Sequence, residues 1–144
     1  MFKKILYPTD FSDVSKKAID YIKQLKEGGS ETVIVLHVLD ERGMTAIERY
    51  ATGDSMEIEQ RIMDDAKHEL KVIENELKKS GFKVKSMIRR GVPLLEILKV
   101  EEEENVSVIV IGSHGKSNLE EMFLGAVSEK VARKCKSPVL IIKR

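Results

Sequence analysis

The sequence predicts an α/β fold of three layers, with five parallel strands in one open sheet, helices on both faces and the strand order 3-2-1-4-5. Four short apolar runs lack the alternation of a half-exposed strand, which is typical of parallel strands covered by helices on both sides. Helical patterns separate these runs along the chain, and this alternation favours repeated β-α-β units. Because the crossovers of such units are right-handed, the first strand is expected near the centre of the sheet.

The strands are predicted from runs of β-branched and aliphatic residues. The four apolar runs cover residues 5–7, 33–36, 106–111 and 139–142. A fifth segment is different, because Phe82, Val84 and Ile88 alternate with basic side chains, as in a strand with one exposed face. We expect this third strand at one edge of the sheet and the last strand, Val139–Ile142, at the other. An unprotected apolar edge invites pairing with a second chain, so we expect a homodimer through Val139–Ile142 unless a loop or the tail covers it.

Four helices are predicted from apolar residues at helical spacing. The first has Asp10 or Ser12 as its N-cap and ends at Gly28-Gly29, and the third begins at Pro93, which suits a first helical turn. Residues 40–54 fit neither pattern, and fifteen irregular residues are long for a passive connection, so a partial helix or a mobile lid is expected there. The apolar stripes of the helices are Val14, Ala18, Ile22 and Leu25; Ile62, Ala66, Leu70, Ile73 and Leu77; Leu94, Ile97 and Leu98; and Val127, Val131 and Cys135.

Composition limits the classes of protein that fit. A chain of 144 residues with 42% apolar side chains is expected to form one domain, residues 1–144, with its own core. Its 25 basic and 24 acidic residues nearly cancel, whereas a nucleic-acid binder usually has a basic excess. The single cysteine excludes a disulfide framework, and no apolar run approaches the roughly 18 residues of a membrane span. The N-terminus lacks the pattern of a signal peptide, so we expect a cytoplasmic protein that binds neither nucleic acid nor membrane.

A ligand site is expected where the strand order reverses, between the first and fourth strands. A loop follows each of these strands, and a second glycine-led helix start follows at Gly125. Glycines let the backbone approach a ligand closely, and the N–H groups of a helix start attract phosphate. The alternative is that Gly112 and Gly115 only turn the chain from strand to helix. The loops and the helix start comprise Pro8, Thr9 and Asp10; Gly112, Ser113, His114, Gly115, Lys116, Ser117 and Asn118; and Gly125, Ala126, Val127 and Ser128.

Several other nucleotide and phosphate sites do not fit. A Walker loop requires glycine where Val110 stands, and the dinucleotide pattern Gly-x-Gly-x-x-Gly is absent. A phosphoacceptor receiver needs an aspartate after the third strand, which here ends in Arg89-Arg90, and the phosphate loop of a flavodoxin is excluded because residues 9–15 contain no glycine. No general base is paired with a nucleophile in any motif, so we expect no catalytic residue and at most slow ATP hydrolysis.

Four motifs together carry a resemblance to a known family. Gly112, two residues, Gly115, nine residues and Gly125 form one spaced motif, and the others are residues 3–12, 36–40 and 137–142. In these motifs, which span nearly the whole chain, the sequence resembles the universal stress protein family, in particular its ATP-binding branch. The resemblance implies a flavodoxin-like, adenine-nucleotide-binding fold, a homodimer through the last strand, and ATP as the ligand, with magnesium or manganese accompanying the phosphates and no protein ligand identified for the metal.

The resemblance also implies roles for individual residues. Pro8, Thr9 and Asp10 would line the nucleoside end, and the backbone of Val38 would meet the edge of the adenine. The loop of residues 112–118 and the turn of residues 125–128 would hold ribose and phosphates. The family pattern has Ser or Thr after its third glycine, where this chain has Ala126. The lost hydrogen bond is worth about 1 kcal/mol, a factor of about five in affinity, while the backbone donors and the Ser128 hydroxyl remain.

Several residues keep two interpretations at this stage. Asp10 either contacts a ribose or caps the first helix, His114 either contacts the ligand or is an exposed loop residue, and Lys116 either meets a phosphate or is solvated. The run of residues 101–104 is expected to be a solvated helix end, and His37 a satisfied residue of a strand. Two functions remain: a nucleotide-binding regulatory or stress-response module, and a dimeric interaction protein of the same family that has lost the nucleotide, which Ala126 would explain.

Overall fold

The strands and helices follow the predicted alternation. A computed structural model of the chain describes residues 1–50, 55–114 and 125–144. Its strands are β1 (Lys4–Pro8), β2 (Thr32–Asp40), β3 (Lys83–Gly91), β4 (Val108–Gly112) and β5 (Val139–Ile142). They form one parallel sheet in the order β3-β2-β1-β4-β5, which confirms the predicted fold class and strand order. The helices are α1 (Asp13–Glu27), α2 (Glu41–Tyr50), α3 (Ser55–Lys79), α4 (Pro93–Glu103) and α5 (Ala126–Lys134).

Helices cover the two faces of the sheet. Ile22 of α1 and Leu70 of α3 belong to the core on one face, and Ile97 of α4 and Val131 of α5 belong to the core on the other. Strands β1, β2 and β4 contribute to both cores, which explains why their sequences are apolar without alternation. Within the described ranges, none of these helices combines the length and apolarity needed to cross a membrane.

Two strands differ in extent from the prediction. β2 continues beyond residue 36 to Asp40, because it pairs with β3 over its whole length. β4 begins at Val108 rather than at Val106. Asn105 turns the chain here with φ 50°, and the Val106 N–H donates to the Glu101 carbonyl at 3.3 Å instead of joining the sheet. The extension of β2 matters for the site, since it carries the strand past the end of β1.

The segment 40–54 is partly a helix. Residues 41–50 form α2, whose Met44 is buried, so the expectation of a partial helix is correct for these residues. Residues 51–54 lie outside the described part of the chain. α2 packs on α3 and on the ends of β2 and β3, so it covers the carboxyl edge of this half of the sheet.

Glu101 is buried, although residues 101–104 were expected to form a solvated helix end. Its side chain on α4 is buried, with 7% of the residue exposed, and its carboxylate accepts from the backbone N–H groups of Lys136 at 3.0 Å and Ser137 at 2.8 Å. A buried carboxylate requires such donors, because it has left water. The bonds fix the turn between α5 and β5 to α4. Glu101 is therefore a structural residue, whereas Glu102 and Glu103 of the same run are exposed as expected.

Candidate functional site

The candidate site lies at the carboxyl edge of the sheet, between β1 and β4. The chain leaves β1 towards α1 on one face and leaves β4 towards α5 on the other, so the strand order reverses here. β1 pairs with β2 as far as Pro8 and Leu36, but with β4 only as far as Leu6 and Ile109. Open parallel sheets bind ligands in the crevice that such a reversal leaves. The turn after β1, the turn after β4 and the start of α5 border this crevice.

Thr9 ties the turn after β1 to its neighbours. It is buried, its N–H donates to the Leu36 carbonyl at 2.8 Å, and its hydroxyl oxygen accepts from the Ser15 hydroxyl at 2.7 Å. The Tyr7 hydroxyl donates to the Ser15 carbonyl at 2.6 Å, and burial raises the pKa of Tyr7. These bonds hold the first turn of α1 on the end of β1. The Thr9 side chain therefore positions the backbone of the turn from inside the protein.

Asp10 shapes the same turn. Its carboxylate accepts from the Ser12 N–H at 2.9 Å, and the Ser12 hydroxyl accepts from the Ser15 N–H at 3.2 Å as the N-cap of α1. Of the two N-cap alternatives, Ser12 is therefore the cap. Asp10 instead forms an Asx turn, which places its carboxylate between the end of β1 and the start of α1.

A pair of rings supports this turn from the side of β2. The rings of Phe11 and His37 stack with centroids 4.3 Å apart, and His37 Nδ1 donates to the Thr9 carbonyl at 2.7 Å. Phe11 has φ 64°, a backbone conformation that costs a non-glycine residue about 1–3 kcal/mol. The interpretation of His37 as a satisfied strand residue is correct. The left-handed backbone of Phe11 was not predicted, because no sequence pattern indicates this conformation for a phenylalanine.

Val38 presents its backbone groups to the crevice. The Thr9 N–H donates to the Leu36 carbonyl at 2.8 Å, whereas the Lys83 N–H of β3 donates to the Glu31 carbonyl at 3.0 Å. Even-numbered residues of β2 thus direct their backbone groups towards β1, and odd-numbered ones towards β3, since these groups alternate along a strand. Val38 lies two residues past the last β1–β2 pair. Its N–H and C=O therefore face the space that β1 has already left.

Gly112 ends β4 against the start of α1. A Cβ added to Gly112 would lie 3.1 Å from the Ser15 nitrogen and 3.2 Å from the Ser15 Cα, which is too close for atoms of a fixed backbone. The Ser113 N–H then donates to the Ile142 carbonyl of β5 at 2.8 Å. The alternative interpretation of Gly112, a turn from strand to helix, thus has a physical basis in packing. The same close approach brings the turn after β4 next to the turn after β1.

The start of α5 is held by contacts that leave its outer N–H groups without a cap. The Gly125 N–H donates to the Ser113 carbonyl at 2.7 Å, and the Ser128 hydroxyl lies 2.8 Å from that carbonyl oxygen and 3.0 Å from the Gly125 carbonyl oxygen. The Ser128 side chain is thus buried and directed into the protein. Among the described residues, no side chain caps this helix at Gly125. The N–H groups of Ala126 and Val127 belong to the first turn of the helix, so no carbonyl group within the helix can accept a hydrogen bond from them.

His114 is a buried side chain with one unsatisfied nitrogen. Only 6% of the residue is exposed, Nδ1 lies 2.8 Å from the Ser113 hydroxyl oxygen, and Nε2 has no hydrogen-bond partner within residues 1–50, 55–114 and 125–144. In the tautomer in which the buried Ser113 hydroxyl donates to Nδ1, the ring carries a proton on Nε2 and can donate from it. Of the two interpretations of His114, that of an exposed loop residue is wrong, because the side chain is buried.

The backbone of His114 lies beside the start of α5. A Cβ added to Gly125 would be 3.3 Å from the His114 Cα and 3.0 Å from the Ser113 carbonyl oxygen, so the β4 turn and the helix start are in direct contact. Glycine at this position is what permits the contact. A buried donor without an acceptor costs about 1–3 kcal/mol. Among the described residues, the start of α5 thus has no side-chain cap and the His114 Nε2 atom has no hydrogen-bond partner.

The structure brings most of the predicted segments to one edge of the sheet. In the described parts of the chain, no three acidic, histidine or cysteine side chains come together as a metal site. Gly115, Lys116, Ser117 and Asn118 lie outside the described residues. The predicted residues that the structure describes lie at the ends of β1 and β4, in β2 near its end, and at the start of α5: Pro8, Thr9, Asp10, Val38, Gly112, Ser113, His114, Gly125, Ala126, Val127 and Ser128.

Comparison with known proteins identifies the family. The model of the universal stress protein family matches residues 1–143. The chain belongs to this family. The universal stress protein resemblance inferred from the glycine spacing and the strand motifs is therefore confirmed.

Relatives match over almost their whole length. The universal stress protein MJ0577 of Methanocaldococcus jannaschii is 41% identical over 156 aligned residues, which cover 100% of this chain and 96% of the relative. The universal stress protein YxiE of Bacillus subtilis is 36% identical, covering 99% of this chain and 100% of the relative. The solved structure of MJ0577 superposes with a TM-score of 0.90 at 44% identity, covering 100% of this chain and 97% of that chain.

More distant universal stress proteins share the fold and carry adenine nucleotides. A family member from Arabidopsis thaliana, with AMP bound, has a TM-score of 0.71 at 18% identity and covers 99% of this chain and 92% of that chain. A universal stress protein in complex with cAMP has a TM-score of 0.70 at 20% identity, with coverage of 99% and 97%. At these identities the likeness to this chain concerns the fold, and the nucleotides belong to those two proteins.

Proposed function

We propose that this universal stress protein binds an adenine nucleotide, ATP foremost, in the crevice between β1 and β4, and acts as a regulatory stress-response module. The observation that carries the proposal is the buried His114 Nε2 atom, which has no hydrogen-bond partner among the described residues, in a residue whose backbone contacts the uncapped start of α5. An anionic oxygen satisfies both kinds of donor at once, because helix N-termini and imidazole N–H groups favour phosphate. The phosphates of the nucleotide supply such oxygens.

The nucleoside end of the ligand is assigned to the other side of the crevice. The Val38 N–H and C=O would meet the edge of the adenine, which offers both acceptors and donors. Asp10 would accept from a ribose hydroxyl, and Pro8 and Thr9 would form the floor. This assignment needs no contribution from the side chains of Thr9 and Ser128, whose hydroxyls bond within the protein. Ala126 is compatible with it, since the backbone N–H of a residue in this turn is independent of the side chain.

The family comparison supports the same class of ligand. AMP and cAMP, the ligands of the two distant universal stress proteins, share adenine, ribose and a phosphate, which are the groups assigned above. Magnesium or manganese would accompany ATP through the phosphate oxygens. The segment 115–118, with Lys116, Ser117 and Asn118, completes the proposed phosphate loop.

The proposal is tested by calorimetry with ATP. We expect the wild-type chain to bind ATP in the presence of magnesium, and the His114→Phe variant to bind it about 10- to 100-fold more weakly, because a hydrogen bond to a charged group is worth about 1.5–3 kcal/mol. Phenylalanine keeps a ring in the cavity and removes the donor. Circular dichroism of the variant checks that the fold is retained.

The matched control is His68→Phe on the exposed side of α3, which should leave the affinity unchanged. Absence of heat and of any thermal shift at millimolar ATP would overturn the nucleotide function. A dimer that persists without any nucleotide binding would instead support the second function, an interaction module, for which Ala126 is the motivating residue.

We further propose that the active form is a homodimer joined through β5. β5 is the outer strand on its side of the sheet, and Leu140 on it is 37% exposed. An apolar strand edge with unpaired backbone groups is a template for pairing with a second copy.

A further inference from the structure

A second cavity lies at the same edge of the sheet but on the side of α2 and α3. It encloses about 440 Å³ and is formed by the ends of β2 and β3 and by the two helices, a volume within the range of small-molecule sites, about 300–1,000 Å³. None of the residues assigned to the nucleotide lines it. Its lining includes Met44, Met63, Ile88, Glu59, Arg89 and Arg90.

The wall of this α2–α3 pocket is mostly apolar and adaptable. Leu39 and Ile88 come from the sheet, and three methionines come from the helices. Unbranched thioether side chains adjust to ligands of irregular shape and are polarisable. Three of the six methionines of the chain are gathered here. Such a wall suits the apolar body of a small organic ligand.

The polar groups of the pocket determine which charge it accepts. Arg90 donates to Glu48 at 2.8 Å, and Arg89 donates to Glu103 through both of its terminal nitrogens. Each guanidinium thus has a carboxylate partner, and an anion entering the pocket would compete with it. The donors of the pocket are already engaged.

Glu59 differs from the two arginines, because one of its carboxylate oxygens lacks a partner among the described residues. Its Oε1 atom is buried and has no hydrogen-bond partner among the described residues. Its carboxyl group hydrogen-bonds to that of Glu48, which raises the pKa of Glu59, because two adjacent carboxylates share a proton more easily than both ionise. A lining residue of the pocket therefore has a carboxylate oxygen without a partner beside a second carboxyl group, an arrangement that a cation would stabilise.

We propose that the α2–α3 pocket is a second ligand site, which binds a small organic cation: an ammonium or guanidinium group on an apolar body. The charged group donates to Glu59, and the apolar body contacts Met44, Met63 and Ile88. Nucleotide binding is not required for this site, since no residue is shared between the two.

The test uses three probes with the same six-carbon chain: n-hexylammonium, n-hexanol and n-hexanoate. With the methionine methyl groups labelled with ¹³C, we expect n-hexylammonium to shift the NMR signals of Met44 and Met63 and to leave those of Met1 and Met87 in place. It should bind about tenfold more tightly than n-hexanol, because a charge-assisted hydrogen bond adds to the same apolar contact. The carboxylate n-hexanoate should bind most weakly of the three.

Two variants locate the charge recognition. Glu59→Gln should lower the affinity for n-hexylammonium about tenfold and leave that for n-hexanol unchanged. Glu57→Gln, an exposed neighbour in the same helix, removes the same charge and should change neither. Equal binding of the three probes, equal effects of the two variants, or shifts confined to methionines outside the pocket would overturn the proposal. Because the His114→Phe variant should bind n-hexylammonium normally, failure of the nucleotide function is distinguishable from failure here.

Discussion

At the scale of single residues, three hydroxyl groups in the described part of the crevice bond to the protein and shape its backbone. Thr9, Ser15 and Ser128 are buried and bond to protein groups. The donors left over are backbone N–H groups and the imidazole of His114. Backbone donors are unaffected by most substitutions, so the loss of a hydroxyl at Ala126 concerns one interaction among several. A substitution that distorts the backbone of the crevice is expected to have a larger effect than the loss of that hydroxyl.

Gly112→Ala should therefore destabilise the protein. The added methyl would stand 3.1 Å from the Ser15 nitrogen, and separating β4 from α1 to relieve such overpacking costs about 1–3 kcal/mol. Urea denaturation followed by circular dichroism measures the change in the free energy of unfolding.

Gly43→Ala in α2 provides the matched substitution. No atom lies within 4 Å of the Cβ that it adds, so it should stabilise by about 0.5–1 kcal/mol through the helix preference of alanine. Similar effects of the two alanines would show that the contact with Ser15 does not decide the role of Gly112.

At the scale of helices and strands, β5 is the element least supported by its own sheet neighbours. It is four residues long, pairs only with β4 in the described sheet, and follows a turn that Glu101 of α4 fixes through two backbone N–H groups. The turn is therefore rigid while the outer side of the strand is unpaired by its own sheet. A rigid, apolar edge is suited to pairing with a second copy at little cost in conformational entropy.

Leu140→Lys should dissociate the proposed dimer. A charged side chain at the edge strand opposes pairing with an identical edge, and two copies of it would face each other across a two-fold axis. Sedimentation equilibrium at micromolar protein should show a dimer for the wild type and a mass near 16.3 kDa for the variant. Val72→Lys on exposed α3, at the other edge of the sheet, should remain dimeric. A monomeric wild type would refute the proposed dimer.

At the scale of the whole molecule, paired surface carboxylates link the helices to the strands. Glu104 of the α4 end contacts both Lys4 of β1 and Lys85 of β3, and Glu103 pairs with Arg89. Hydrogen bonding to Lys85 lowers the pKa of Glu104, and hydrogen bonding to Arg89 lowers that of Glu103. Each of these groups therefore stabilises the folded state in its ionised form.

Stability should accordingly fall on acidification. A carboxyl whose pKa is lower in the folded state contributes stability above its unfolded value, 4.5 for these glutamates, and loses it as the pH falls through the folded value. We expect the free energy of unfolding to decrease as the pH drops below about 4.5. Glu59, whose pKa is raised by its hydrogen bond to Glu48, acts in the opposite direction and becomes more favourable on protonation.

The measurement is a series of urea titrations between neutral pH and about pH 3. Glu104→Gln should reduce the fall in the free energy of unfolding at low pH, because one of the groups with a lowered pKa is gone. Glu102 is exposed and unpaired in the described contacts, so Glu102→Gln should leave this pH dependence unchanged. Because the pairs are near the surface, added salt should weaken the pH dependence. If the free energy of unfolding of the Glu104→Gln variant fell as steeply with acid as that of the wild type, the stabilising role of ionised Glu104 would be contradicted.

The periodic part of the fold was predictable from local sequence. Apolar runs without alternation indicated strands buried on both faces, and Pro93 and Gly28-Gly29 marked helix boundaries correctly. The length of β2 was underestimated, because its last residues are held by pairing with β3, a partner 51 positions away for Asp40 and Gly91. Helix α2 was predicted only in part, although Met44 and Ile47 stand at helical spacing, and its packing over the sheet edge accounts for the burial of Met44.

The sequence by itself determined the order of the elements, the position of the crevice and the family, because these depend on spacing and apolar periodicity along the chain. Tertiary structure alone decided the state of the polar groups: Glu101 is buried, Ser128 turns inward, and the buried His114 Nε2 atom has no partner in the described part of the chain. The reason is that burial and hydrogen bonding depend on which distant segments pack over a side chain, and no local pattern in the sequence records that.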